Sequence, residues 1–449
     1  MIVDRSEFSE TTDARIYLTQ YGGQPQNTEV RLFSTQDIEY EAICVDFGPM
    51  NFASVARFIR AIDAELETCA REGKDLAYAS APGRRGLTNS AFLLGAYLVL
   101  RHGLAAEAVW RRFQGIDAAA LEEYRDASPD PPDFRLRLVD CWAGLARARG
   151  AGWVAMPSPA RPGLWGQIDE AEYAHHASPR NGDMHAVVPG RLVALKGPRD
   201  LPPGDPAADG GGGGGGGEGA ARRRALDPVR CAASLRRLGV TTVVRLSGEC
   251  AYDRGAFVRA GMRHVDLCFD DGTCPPLGLV ARFFAAVDAA AGAVAVHCRA
   301  GLGRTGTLVA LELIRSHGFA AREAMGWLRI VRPGSVVGRQ QAFLCNFEGA
   351  FRGGGLALLA GVANLDLACP ASESAAGAPA GEERAGHVEG VCNSPVLDSR
   401  SGRATAAATA AAPLLARWGR WPAQVDGPCA RDTVCRPTSA RLRLSGRGA

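Results

Sequence analysis

Between residues 241 and 317 the apolar positions change their period several times, and each change predicts an element. Residues 241–246 form a β-branched run that predicts a strand, and a helical stretch follows near 252–260. Residues 263–269 predict a second strand, which runs into a loop at 270–276. Over 277–290, Leu279, Val280, Phe283, Phe284 and Val287 recur at helical spacing, so one face of a helix meets a core. Residues 293–296 are short and wholly apolar, as a strand is when both faces of a parallel sheet are covered. After a glycine-containing loop, Leu308, Leu311 and Ile314 mark the apolar face of another helix. The alternation of strands and helices predicts an α/β architecture with a largely parallel sheet.

The pattern also repeats. A shift of 215 positions lays His102-Gly103-Leu104-Ala105-Ala106 on His317-Gly318-Phe319-Ala320-Ala321 and the apolar run 92–98 on 307–313. Two related α/β domains in tandem are therefore expected. In the first copy Gly83 falls where Cys298 stands and Asn89 falls where Arg304 stands, so cysteine chemistry is expected of the second copy alone. The expected organisation is a first domain over 1–165, a linker helix over 166–183, a catalytic domain over 184–352 and a tail over 353–449. The glycine run from Gly210 to Gly217 makes 204–221 a flexible surface insertion. The Ala-, Gly-, Ser- and Arg-rich tail lacks the periodicity of a core-forming segment and is expected to be disordered.

Composition narrows the function. With 47% hydrophobic and 22% charged residues the chain is expected to be soluble and globular. Its net charge of +3 is a small difference between 51 basic and 48 acidic residues, and it gives no support to a nucleic-acid partner. Lys74 and Lys196 are the only lysines, so arginine clusters follow general composition and are weak pointers to anion binding. The thirteen cysteines show no C-x-x-C pair and no zinc-site spacing, which predicts a reducing compartment, no metal and no cofactor. Residues 1–10 carry Asp4, Arg5, Glu7 and Glu10 instead of an apolar secretory core, and the longest apolar run, 91–100, is too short to span a bilayer. An intracellular chain without a membrane partner is expected.

The segment Val296-His297-Cys298-Arg299-Ala300-Gly301-Leu302-Gly303-Arg304-Thr305-Gly306 carries the chemistry, at a predicted strand-to-helix turn. A thiol is a nucleophile only as thiolate, and a helix N-terminus supplies the positive end that favours that form. Glycines at 301 and 303 let the backbone N–H groups of Arg299, Ala300, Gly301, Leu302 and Gly303 turn inward as a nest for phosphate oxygens. Arg304 can grip two of those oxygens in a bidentate fork. The Thr305 hydroxyl can hydrogen-bond the thiolate or assist its departure. Transfer of phosphate to sulfur also needs an acid for the leaving oxygen and a base for the water that follows. Asp271, on the loop before Gly272 and Pro275, can serve both steps, with Asp270 the neighbour that could be mistaken for it. Downstream, Gln340 and Gln341 offer amides able to hold the attacking water.

Ile330-Val331-Arg332-Pro333-Gly334-Ser335, Gly338-Arg339-Gln340-Gln341, Phe269-Asp270-Asp271-Gly272-Thr273, Asn181-Gly182-Asp183 and Asp46-Phe47-Gly48-Pro49 join the cysteine loop in one resemblance. Over roughly residues 10–350 the chain resembles the cell-division-cycle-fourteen phosphatases, the mitotic-exit branch of the dual-specificity class. The resemblance implies two tandem phosphatase-like domains, the first lacking the nucleophile. It further implies phosphoprotein substrates in which serine is followed by proline, and a location in the nucleus or nucleolus and in the cytoplasm or at the spindle pole. An acidic groove that reads a basic residue downstream is implied too, and Asp46, Asp169, Glu170 and Glu172 are the carboxylates able to face it. Ala174 and Ala177 stand where the family often carries acids, which implies a weaker basic preference, and Arg339 stands in place of a usual proline. A phosphoinositide phosphatase would share the cysteine loop but usually lines it with extra lysine, where this chain has Leu302. A non-catalytic phospho-binding scaffold would not need Cys298, Arg304 and Asp271 together.

Overall fold

The computed structural model describes residues 2–3, 15–20, 29–35, 37–200, 226–248 and 252–351. The glycine-rich insertion and the tail expected from the sequence lie outside the described residues. The chain divides into two units, Met1–Ala368 and Cys369–Ala449, and the described residues all belong to the first.

The first part of that unit is built on a sheet of β1 (Ile2–Val3), β2 (Ile16–Gln20), β3 (Val30–Ser34) and β4 (Asp75–Ser80), in the order β1-β2-β4-β3. β4 runs parallel to both β2 and β3. Helix α1 (Phe52–Glu72) begins where Asn51 Oδ1 accepts from the Ser54 N–H, and it ends at Gly73 in the left-handed conformation, φ 66°. Its buried Val55, Phe58, Ile59, Ile62 and Leu66 recur at helical spacing and cover one face of the sheet. Helices α2 (Gly83–His102), α3 (Ala106–Arg112) and α4 (Leu138–Gly150) follow. The short hairpin β5 (Leu164–Trp165) and β6 (Ile168–Asp169) then leads into helix α5 (Glu170–Ala177), within the span expected to link the domains.

The second sheet comprises β7 (Met184–Val188), β8 (Leu192–Lys196), β9 (Val240–Arg245), β10 (Arg263–Asp266) and β11 (Ala293–Cys298), in the order β10-β9-β11-β8-β7. All pairings are parallel except that of β7 with β8 at one edge. Flanking it are α6 (Pro228–Arg237), α7 (Gly255–Arg259), α8 (Leu277–Asp288), α9 (Gly303–His317), α10 (Ala321–Val331) and α11 (Gln340–Ala350). β11 is central and all six of its residues are buried, as its apolar run requires. Two α/β sheets in tandem are thus the architecture that the alternation and the repeat predict, although β10 stops at Asp266, short of the expected 269.

The repeat is in register at the helix ends and not at the helix starts. Gly103 and Gly318 both cap their helices in the left-handed region, at φ 70° and 66°. Cys298, however, ends a strand, whereas Gly83 opens a helix. The ungapped pairing of Gly83 with Cys298 is therefore corrected: α2 begins earlier than α9 in the repeat, only residues 81–82 separate it from β4, and Ser80 occupies the strand end. Asn89 nonetheless keeps a role like that of its counterpart. Its Nδ2 donates to the Phe47 carbonyl at 2.6 Å, much as Arg304 Nη1 donates to the Phe269 carbonyl at 2.8 Å.

The two sheets share one hydrophobic core that continues from Ile16 to Phe347. Its seam is α4 against α10, where glycine replaces side chain at the closest approach. A Cβ on Gly144 would lie 2.3 Å from the Glu323 carbonyl oxygen, and one on Gly326 would lie 2.7 Å from that of Asp140. Arg147 pairs with Glu323 at 3.1 Å and Arg322 with Asp140 at 3.0 Å along the same seam. Gly144→Ala is expected to lower the unfolding free energy by about 1–3 kcal/mol through overpacking. Urea denaturation reads this directly, and an unchanged midpoint would show that the helices separate without cost.

Candidate active site

β11 delivers Cys298 at its last residue, and α9 begins at Gly303, so the thiol sits below a helix N-terminus on a loop of residues 299–302. The Cys298 side chain is buried, and its Sγ accepts from the Gly301 N–H at 3.3 Å. Only glycine fits at 301: φ is 72°, and a Cβ would lie 2.1 Å from the Leu195 carbonyl oxygen. Arg299 and Ala300 are exposed, while Leu302 and Gly303 are half-buried.

Arg304 lies in the first turn of α9 and is buried. Its Nη1 donates to the carbonyls of Leu246 at 3.2 Å and Phe269 at 2.8 Å, which fixes the guanidinium in place. Its Nε lies 3.1 Å from Asp271 Oδ1 as an ion pair, without hydrogen-bond alignment. Asp271 is 68% exposed at its side chain, whereas Asp270 contributes its carbonyl to the turn, accepting from Thr273 Oγ1 at 2.7 Å. Thr305 is fully buried, and its hydroxyl has no hydrogen-bond partner among the described residues.

The two glutamines separate. Gln340 Nε2 donates to the Thr273 carbonyl at 2.9 Å, and its Oε1 accepts from the Val337 N–H at 3.3 Å, so it ties the Asp271 loop to residues 337–340. A Cβ on Gly303 would lie 3.0 Å from Gln340 Oε1, which sets this amide beside the cysteine loop. Gln341 instead accepts from Arg329 Nη2 at 2.6 Å and donates to the Gly338 carbonyl at 3.3 Å. Both glutamines are buried.

Arg332 is the residue that sequence reading passed over. Fully buried, it donates from Nε to the Gly301 carbonyl at 2.7 Å and from Nη2 to the Ala300 carbonyl at 3.3 Å. Its Nη1 reaches the Asp183 carbonyl at 2.7 Å, Asp183 Oδ1 at 2.9 Å and His185 Nδ1 at 2.9 Å. Burial and the Arg332 charge push His185 well below the ordinary histidine range, so it accepts as a neutral ring. Arg329 plays a similar part for residues 335–341. It donates to the carbonyls of Ser335 and Val336, the latter a β-branched residue at φ 64°, where strain costs about 1–3 kcal/mol. The sequence signal for Arg332 was its place in the motif 330–335, which assigns it no role, and Arg329 had none in a chain already rich in arginine.

The first sheet's domain supplies one wall. Asp126 is buried and its Oδ2 accepts from the Gly338 N–H at 2.7 Å. A Cβ on Gly334 would meet Ile43 Cδ1 at 2.5 Å, Ala127 Cβ at 3.3 Å and Leu302 Cδ1 at 3.5 Å, so three apolar groups converge there beside the cysteine loop.

Three of the four acidic candidates are engaged within the fold. Asp46 is 3% exposed and accepts from the Tyr40 hydroxyl and from the N–H groups of Ile43 and Cys44. Both Glu170 oxygens are gripped by Arg60, with Trp165 Nε1 donating at 3.1 Å, and these bonds hold its carboxyl below the usual range. Asp169 caps α5 by accepting from the Glu172 N–H at 2.8 Å. Glu172 is half exposed, with His176 Nε2 at 3.9 Å. Among the described residues no group of three or more His, Cys, Asp or Glu is arranged to hold a metal ion, and no helix is long and apolar enough to cross a membrane.

A thiol beneath a helix N-terminus, inside a glycine-turned loop and beside a captive arginine, defines the class of cysteine-dependent phosphatase domains. Two family models match: "Dual specificity protein phosphatase, N-terminal half" over residues 10–148, and the "DSP-PTPase phosphatase domain" of the "Swiss Army Knife protein" over 219–344. Dual specificity protein phosphatase CDC14C of Homo sapiens is 32% identical over 338 residues, covering 75% of this chain and 70% of that protein. CDC14AB of Danio rerio is 32% identical over 338 residues, covering 75% and 51%. Tyrosine-protein phosphatase cdc-14 of Caenorhabditis elegans is 32% identical over 310 residues, covering 68% and 40%. The chain belongs to the CDC14 family of dual specificity protein phosphatases. It spans about half the length of several of these relatives.

Arg332→Lys is expected to lower kcat/KM for an aryl phosphate by roughly 10²-fold, because one ammonium cannot hold the 300 and 301 carbonyls together with Asp183. Vanadate affinity should fall in parallel. Unchanged vanadate binding would show that the loop holds its shape without the guanidinium.

Proposed function

We propose that this chain is a protein phosphatase that hydrolyses phosphoserine and phosphothreonine followed by proline, the sites cyclin-dependent kinases write, and also phosphotyrosine, and that it acts in mitotic exit. The observation that carries this reading is the buried Cys298 thiol accepting from the Gly301 N–H, with Arg304 and Asp271 paired beside it. The Cys298 thiolate attacks phosphorus, the ester P–O bond breaks, and Asp271 delivers its proton to the leaving oxygen. The cysteinyl-phosphate is then hydrolysed. Asp271 takes a proton from water, which Gln340 orients, the new P–O bond forms and the P–S bond breaks. The unspent Thr305 hydroxyl is free to donate to the departing sulfur. Phosphate oxygens are held by the N–H groups of 299–303 and by Arg304.

Proline preference is supported by the apolar convergence of Ile43, Ala127 and Leu302 beside the loop. Preference for a downstream basic residue has narrower support, since Asp46 is buried and Glu170 is paired with Arg60, which leaves Glu172 and the helix-capping Asp169 as the exposed carboxylates. One exposed pair contributes about 0.2–1 kcal/mol, a gain of several-fold at most.

A panel of phosphopeptides tests the reading. Serine followed by proline is expected to exceed serine followed by alanine in kcat/KM, with a several-fold further gain from a downstream lysine that high salt removes. A preference for phosphotyrosine without proline would overturn the substrate assignment. For Asp271→Ala, turnover of phosphoserine peptides is expected to fall by about 10²–10⁴-fold, and that of an activated aryl phosphate much less, because a good leaving group needs no acid. Equal losses on both would remove Asp271 from that role.

A further inference from the structure

Behind the cysteine loop a buried chain of hydrogen bonds runs from the nucleophile's own carbonyl to the edge of the sheet. His297 Nδ1 lies 3.2 Å from the Cys298 carbonyl oxygen, and His297 Nε2 lies 2.6 Å from the Tyr252 hydroxyl. The same hydroxyl lies 2.9 Å from His264 Nε2. His264 Nδ1 is 3.6 Å from Asp266 Oδ1, without a hydrogen bond, and Arg245 Nε donates to that carboxylate oxygen at 2.6 Å. Tyr252 is 5% exposed, His297 1% and the His264 side chain 1%.

Counting donors and acceptors fixes the proton at each contact from the Cys298 carbonyl to His264 Nε2. A carbonyl oxygen can only accept, so His297 Nδ1 carries hydrogen. Burial pushes His297 down to about 4, so at neutral pH its ring is uncharged and Nε2 is a bare acceptor. The hydrogen at that contact comes from Tyr252, whose burial keeps it protonated. Having spent its one proton, the Tyr252 oxygen accepts from His264 Nε2–H. His264 faces Tyr252, Phe257, Asp266, Arg245 and Arg254, and burial pushes it to about 4 as well. Whether its Nδ1 is bare or protonated toward Asp266, its Nε2 still donates to Tyr252, so the order of the chain beyond it does not change.

We infer that Tyr252 and His264 are positioning residues that lock His297 in the tautomer bearing Nδ1–H and thereby fix the peptide between Cys298 and Arg299. This rests on the reading of Cys298 as the nucleophile. In a trans peptide the C=O and the following N–H point in opposite directions. Anchoring the Cys298 carbonyl on His297 therefore aims the Arg299 N–H to the other side, as the first donor of the phosphate nest. Without the Tyr252 hydroxyl the ring is free to carry hydrogen on Nε2, which turns a lone pair at Nδ1 against the carbonyl.

The test is the pH dependence of Cys298 alkylation by iodoacetate in the full chain, with melting temperature and aryl phosphate kinetics measured alongside. In Tyr252→Phe the alkylation midpoint is expected to rise by about one pH unit, with kcat falling more than KM rises. His264→Gln keeps a donor where Nε2–H stood and should match the wild type, whereas His264→Leu should shift as Tyr252→Phe does. A wild-type midpoint in Tyr252→Phe overturns the inference, whatever its melting temperature. If that variant does not fold, equal midpoints in His264→Gln and His264→Leu overturn it instead. Absence of Cys298 alkylation and of turnover in the wild type would be a different failure, that of the nucleophile assignment itself.

Discussion

The cysteine loop keeps its shape because the buried Arg332 guanidinium takes up the carbonyls that would otherwise compete for the inside of the nest. It accepts the cost of burying a charge, and offsets it with bonds to Gly301, Ala300, Asp183 and His185. With the 300 and 301 carbonyls held by Arg332, the Gly301 N–H is left to donate to Cys298 Sγ. The other end of the bracket sits where the chain enters the second sheet, at Asp183, a non-glycine residue at φ 45°. Close by, α5 is pinned by the Tyr173 hydroxyl, which donates to the Val331 carbonyl at 2.7 Å. The loop, the entry turn and the connecting helix are therefore one mechanical unit, made by residues far apart in sequence.

A similar economy explains what the first domain has become. Its sheet retains the parallel strands, the glycine-capped helix and an Asn89 bond that echoes Arg304, but the loop between β4 and α2 is too short to form a nest. A cavity of 790 Å³ remains there, lined by residues that include Asp46, Ser80, Arg85 and Asn89. What the domain contributes to the active site is a wall. Asp126 anchors the Gly338 turn, and Ile43 and Ala127 close on Leu302 around Gly334. The tight crossing of α4 and α10 fixes that wall against the second sheet, because backbone meets backbone at Gly144 and Gly326 and leaves little room for sliding.

Much of the second domain could be read from the chain because its signals are local. A four-residue apolar run at 293–296, a helix with Phe283, Phe284 and Val287 on one face, and a cysteine followed by Gly301, Gly303 and Arg304 each declare themselves within a few residues. Strand and helix periods arise from backbone geometry, and the loop chemistry arises from residue types at short spacing. The choice of Asp271 over Asp270 was also a local reading, and the fold sets Asp271 against Arg304.

The remainder was decided by tertiary structure. The motif around Arg332 belongs to the resemblance but does not say which carbonyls it holds, and nothing in the sequence shows that Gln340 lies beside the cysteine loop while Gln341 holds Arg329, or joins Tyr252 to His264 and His297. The acidic residues make the same point: Asp46 and Glu170 read as open carboxylates until Tyr40, Arg60 and Trp165 are brought to them. The repeat, too, was legible where glycine caps hold its register and misleading where the first copy shortened its loop. Sequence determines what a residue is able to do over the few ångströms its neighbours span. Which of those capacities is spent on the fold and which is left for a substrate depends on partners that the chain brings together only by folding.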